Sequence, residues 1–180
     1  RQMCIRDRTS LEVATMILLS TSNLSRHFGG LKAVDSINFE LPVGEVRALI
    51  GPNGAGKTTF VSMLSGRIPA SEGKIFFDGQ DITSEPAHRR IRAGMAYTFQ
   101  ITSVYSRLPV NENVALAVRW QSGGDEALTG RRVFEALHRV GISDRANQPA
   151  GDLSYGHQRL LEIAMGLSQK PRLLILDEPT

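Results

Sequence analysis

At 180 residues, 41% apolar and 22% charged, the chain has the composition of one globular domain and not that of a disordered segment. Its formal charge of +3 is small and its basic residues are spread along the chain, so the concentrated basic and aromatic stripe of a nucleic-acid binder is missing; no nucleic acid is expected as a partner. One cysteine, Cys4, excludes an internal disulfide, and no run reaches the roughly 18 apolar residues of a bilayer span.

Residues 1–16 carry Arg1, Arg6 and Arg8 ahead of a short apolar run. Glu12 interrupts it and no small-residue cleavage site follows, so this stretch reads as a leader outside the fold, not as a secretory signal. Residues 18–24 and 33–41 then read as strands. The second has an apolar face of Val34, Ile37, Phe39 and Leu41, with one slip in the alternation. After a turn at 42–44, residues 45–50 are expected to form a third strand running into a glycine-rich loop, with Arg47 exposed at its start. Residues 58–66 have helical spacing with Gly66 as a stop, and 73–77 read as a strand entering the Asp78-Gly79 turn. A short helix over 88–93 and a strand over 95–99 follow. His88, Arg89 and Arg90 are taken as a solvated helix face.

From Ile101 to Leu167 the strand signals fade. Helices are expected over 110–120, 126–140 and 156–167, with Trp120 and Phe134 as core or partner-docking residues. Met16, Met63, Met95 and Met165 read as packing residues. Asp78, Asp81 and Glu85 lack metal-cage spacing and are assigned to a surface hairpin and loop. The apolar run 173–176 predicts a parallel strand buried on both faces.

Two patterns carry chemistry. Gly51-Pro52-Asn53-Gly54-Ala55-Gly56-Lys57-Thr58-Thr59 is a full phosphate-loop match between a predicted strand and a predicted helix. Its glycines let backbone N–H groups turn inward on an anion, Lys57 reaches the β- and γ-phosphates, and Thr58 offers its hydroxyl to Mg²⁺. ATP and Mg²⁺ are therefore the expected ligands. Asp177 lies 120 residues after Lys57, at the end of the 173–176 strand, where α/β folds bind ligands. It is assigned to the metal, and Glu178 to polarising the attacking water.

Leu153-Ser154-Tyr155-Gly156-His157-Gln158 resembles the signature L-S-G-G-Q of ABC ATPases. Tyr97-Thr98-Phe99-Gln100 resembles that family's glutamine loop, and the segment from Phe28 to Val34 resembles the one whose aromatic residue stacks on adenine. With the phosphate loop and Asp177-Glu178 these stand in the family's order. The resemblance implies an α/β fold: a P-loop NTPase core with N-terminal antiparallel strands and an inserted helical subdomain. Residues 17–180 would be one partial nucleotide-binding domain, with 17–100 and 168–180 as core and 101–167 as the insert. It also implies a head-to-tail dimer in which Ser154 and Gly156 of one subunit face the nucleotide held by the other, and a Gln100 that senses magnesium. Tyr155 departs from the signature, so the backbone there must accommodate a side chain.

The wording around Phe28, Gln100 and Glu162 is similar to importer ATPases for branched-chain amino acids, urea and related solutes. That implies a second ATPase subunit, two integral membrane permease subunits, an external solute-binding protein reached indirectly, and a cytoplasmic place on the inner face of the cell membrane. A soluble ABC ATPase of translation or DNA repair is the alternative; the insert lacks the sustained heptads of repair members. A third reading, an exporter cassette fused to membrane spans, needs apolar spans upstream. The family's pattern continues past Thr180 with a switch histidine, so the chain reads as a fragment, expected to bind nucleotide weakly and to turn over little by itself.

Overall fold

A computed structural model of the chain describes residues 16–98 and 103–177. Four strands form an antiparallel sheet in the order β2-β1-β3-β4: β1 (Ile17–Phe28), β2 (Leu31–Pro42), β3 (Glu72–Phe77) and β4 (Gln80–Asp81). β1 outruns its predicted end at Leu24 because the chain bulges and continues. Asn23 sits at φ 46 and the pairing shifts there, letting Ser25 pair with Glu72. Gly73 (φ +84) packs so close that an added Cβ would lie 2.3 Å from the Asn23 carbonyl oxygen. The slip foreseen in β2 is a bulge too. Ser36 takes φ 49 and donates its N–H to Ser25 Oγ at 2.8 Å. It turns Ile37 out to solvent while Val34 and Leu41 stay buried.

α1 (Lys57–Leu64) buries Phe60, Met63 and Leu64 in the hydrophobic cluster shared with the antiparallel sheet, with Phe60 edge-on to Phe39 of β2. α2 (Ala87–Arg92) leads into β5 (Met95–Thr98), which pairs in parallel with β6 (Leu173–Leu176) from Met95 opposite Leu173 to Thr98 opposite Leu176. Met95 and Leu173 join the same hydrophobic cluster as the antiparallel sheet. A second cluster lies within α3 (Val110–Ser122), α4 (Glu126–Val140) and α5 (Tyr155–Ser168), around Val110, Val114, Leu137, Ile142 and Leu161. Asp125 caps α4 by accepting the Leu128 N–H at 2.9 Å.

Four expectations are corrected. Residues 45–50 form no strand: Val46 is 97% and Ile50 92% exposed. A run becomes a strand only with a hydrogen-bonded neighbour, and among the described residues no strand pairs with it. Arg47 is exposed as expected, but as the ion-pair partner of Glu45. β6 is buried at Leu173 only and reaches 40% exposure at Leu176, since β5 is its one described neighbour and helices cover part of it. Met16 is exposed, not packed.

The fourth correction is Arg90, which is 2% exposed and not on a solvated face. Its Nη1 donates to the carbonyls of Met63 (2.7 Å) and Leu64 (2.8 Å), and its other nitrogens to those of Glu85 and Thr83. The last carbonyls of a helix lack intrahelical partners, and at the end of α1 one guanidinium supplies them. Trp120 and Phe134 are not core: both are about half exposed or more.

Candidate nucleotide site

The loop of residues 51–56 is carried between β2 and α1. Gly54 and Gly56 both stand at φ 82, a left-handed conformation that side chains resist. At Gly56 an added Cβ would lie 2.2 Å from the Ala33 carbonyl oxygen, so β2 and the loop meet only because the side chain is a hydrogen. Gly56 is also the N-cap of α1 and makes no side-chain cap bond. The first N–H groups of that helix therefore point out with no intrahelical partner, at the positive end of the helix dipole. Gly51, Pro52, Asn53, Gly54, Ala55 and Thr58 are exposed, and Thr59 is half-buried. Lys57 folds back over the loop, its Nζ donating to the carbonyl oxygens of Gly51 (2.6 Å) and Pro52 (2.9 Å). The ammonium thus sits on the loop beside the uncapped start of α1, and together they offer a donor set suited to a polyphosphate.

Asp177 follows β6 and is buried, 7% exposed. Its Oδ2 accepts the Tyr97 hydroxyl at 2.9 Å. Burial first, and the neighbouring carboxylate second, push the Tyr97 phenol above its ordinary value and keep it a donor. α1 and β6 share one hydrophobic cluster through Phe60, Met63, Leu64 and Leu173, with Ile175 packed against it. No group of three or more carboxylate, His or Cys side chains able to cage a metal occurs among the described residues. Mg²⁺ held mainly by phosphate oxygens and water needs only one or two protein oxygens, and the Thr58 hydroxyl and Asp177 carboxylate are of that kind.

Phe28 ends β1 with its ring 46% exposed and the Arg26 guanidinium 4.6 Å from its centroid. Ser154 caps α5: its Oγ accepts the His157 N–H at 3.4 Å and hydrogen-bonds His157 Nδ1 at 2.7 Å. Tyr155 is accommodated as the first helical residue, its ring outward and 5.6 Å from the Arg159 guanidinium. Nothing lies within 4 Å of where a Gly156 side chain would start, so that surface is open to an approaching molecule. Leu153 and Leu161 seat this signature on the second hydrophobic cluster, apart from the cluster under α1. Among the described residues no hydrogen bond or ion pair joins Ser154 or Gly156 to residues 51–59. Gln100 and Glu178, with Phe99, Pro179 and Thr180, lie outside the described residues.

Two features were not foreseen. One is the pairing of Tyr97 with Asp177, whose only sequence signal is that both stand near the ends of strands. The other is a buried ion pair between Arg159 and Glu162 (2.8 Å), in which Glu162 Oε1 also accepts the Ser103 N–H at 2.5 Å. Beside it a cavity of about 230 Å³ opens between β5 and α5, lined by Thr98, Ser103, Ile91 and Gly166 among others.

The profile described as ABC transporter matches residues 34–180. A probable branched-chain amino acid transport ATP-binding protein, LivG, of Archaeoglobus fulgidus is 37% identical over 177 residues, covering 91% of this chain and 68% of the relative. The high-affinity branched-chain amino acid transport ATP-binding protein LivG of Escherichia coli K12 is 39% identical, covering 90% of this chain and 69% of the relative. The crystal structure of a nucleotide-free ATP-binding cassette from an ABC transporter superposes with a TM-score of 0.81 at 28% identity, over 92% of this chain and 70% of that one.

Proposed function

The chain belongs to the ABC transporter family as an ABC-type ATPase, and on that premise we propose that it energises an importer of branched-chain amino acids or a similar small polar solute. The observation that carries the reading is the uncapped amino end of α1 beside Lys57, a preformed cradle for the phosphates of ATP. In this reading Gly51 to Thr59 bind the phosphates, Lys57 neutralises charge on the γ-phosphate, and Phe28 stacks on adenine with Arg26 behind it. Thr58, Asp177 and Gln100 hold Mg²⁺, which when bound neutralises phosphate charge. Glu178 orients the attacking water.

Ser154 and Gly156 complete the site of a second ATPase subunit. The open surface at Gly156 and the outward helix start at Tyr155 support that reading. Two permease subunits, and an external binding protein beyond them, are the remaining partners. Among the described residues no helix is long and apolar enough to cross a membrane, so a membrane address at the inner face would come through the permeases. The solute rests on the similarity to relatives named for branched-chain amino acid transport.

Two measurements test it. Glu178→Gln in the full-length subunit is expected to lower ATP turnover about a hundredfold or more while leaving ATP binding within about threefold. Unchanged turnover removes Glu178 from the reaction. The tagged subunit, recovered from detergent-solubilised membranes of its host, should bring down two multi-span proteins in fixed ratio. Recovery of ribosomal or DNA-repair proteins instead overturns the importer assignment and leaves the ATPase in place.

A further inference from the structure

Tyr97 lies on β5 opposite Ile175 of β6. Residues two apart in an extended run share a face, so Ile175 and Asp177 project to the side on which Tyr97 stands. The phenol spans that distance and donates to Asp177 Oδ2 at 2.9 Å. From the other direction Arg67 Nη1 donates to the same phenol oxygen at 3.1 Å, with its guanidinium 5.3 Å from the ring centroid. A phenol carries one hydrogen and a guanidinium only donates. With Arg67 donating to the phenol oxygen, that hydrogen is directed at the carboxylate, and the order Arg67 to Tyr97 to Asp177 is set.

We propose that Tyr97 is a positioning residue for the Asp177 carboxylate: it fixes one oxygen so that the other is presented to the magnesium or to a water on it, and Arg67 holds the phenol in that pose. The proposal rests on the assignment of Asp177 to the metal made above. A carboxylate at a strand end turns freely about its last bond, and whatever freezes that turn before the metal arrives removes an ordering cost from binding. The relay also ties the metal carboxylate to Arg67, three residues beyond the end of α1, the helix whose start carries the phosphate loop.

The test uses the full-length subunit with Mn²⁺ as probe, followed by electron paramagnetic resonance in the presence of a saturating non-hydrolysable ATP analogue. Metal-free affinity for a fluorescent ATP analogue is measured alongside in EDTA. Tyr97→Phe keeps the ring and loses the hydroxyl; it is expected to weaken Mn²⁺ about tenfold with metal-free nucleotide affinity unchanged within about twofold. Arg67→Gln, at an exposed position, should weaken Mn²⁺ about threefold. Asp177→Asn serves as the reference for direct loss of the carboxylate.

If Tyr97→Phe leaves Mn²⁺ affinity unchanged or tighter while Asp177→Asn weakens it, the positioning role is overturned and the Asp177 assignment stands. If Asp177→Asn has no effect, the assignment falls and the role of Tyr97 falls with it. Equal weakening of metal-bound and metal-free nucleotide by Tyr97→Phe marks a merely structural residue and also overturns the proposal. Should Tyr97→Phe lose its fold on thermal melting, Arg67→Gln decides by the same criteria.

Discussion

At the scale of the residue, the two glycines of the phosphate loop separate two physical demands. Gly54 and Gly56 share φ 82, but only Gly56 is pressed against a neighbour, the Ala33 carbonyl. Alanine at Gly54 therefore carries the left-handed backbone cost alone, about 1–2 kcal/mol. Alanine at Gly56 adds a backbone clash that β2 or the loop must move to relieve, and we expect about 3 kcal/mol or more in urea unfolding. Equal losses at the two positions would mean that the approach of β2 to the loop is soft. The glycines were legible in the sequence because their spacing is a chemical constraint. Arg90 was not: its neighbours His88 and Arg89 are exposed, and a buried guanidinium that caps a helix ending 26 residues earlier leaves no periodic trace. Tyr97 is the same kind of case, since its partner is 80 residues away.

At the scale of the element, sequence pattern located nearly every helix and strand, and α4 from Glu126 to Val140 to the residue. It failed where an element depends on a neighbour, as at residues 45–50, or on a bulge, as at Asn23. The turn that follows β4 offers a test with a sign. The Thr83 hydroxyl donates to Asp81 Oδ1 at 2.6 Å and the Thr83 N–H at 3.0 Å, and Lys74 stands 3.3 Å from Oδ2. The Thr83 side chain first, then its backbone N–H, hold the Asp81 carboxyl down at about 2. A depressed carboxyl contributes stability that is present above the ordinary value near 3.8 and is lost as pH falls through about 2. Carbon-detected NMR titration of Asp81 should give a midpoint near 2, and Thr83→Val should raise it towards the ordinary value. A wild-type midpoint near 3.8 would mean that the turn is not closed in solution.

At the scale of the whole molecule, the described residues build two hydrophobic clusters. Within the first, Arg172, at the approach to β6, forms a two-pronged pair with Asp78 just after β3 (2.5 and 2.7 Å), exposed and therefore weak. The Arg159–Glu162 pair is the opposite case: both side chains are under a tenth exposed, and Glu162 also takes the Ser103 N–H. α5 thereby holds Ser103, which stands three residues after Gln100 in the sequence. Removing one charge of a buried pair costs about 3–5 kcal/mol. Glu162→Gln is therefore expected to destabilise by roughly 3 kcal/mol, and Arg159→Met with Glu162→Leu together by about 1 kcal/mol or less, because the double change takes both charges out of the interior. Hydrogen exchange adds a second reading: in Glu162→Gln the amide of Ser103 should lose protection before the helical amides of α4 do. If the single and double variants are equally unstable, the pair contributes by packing and not by charge.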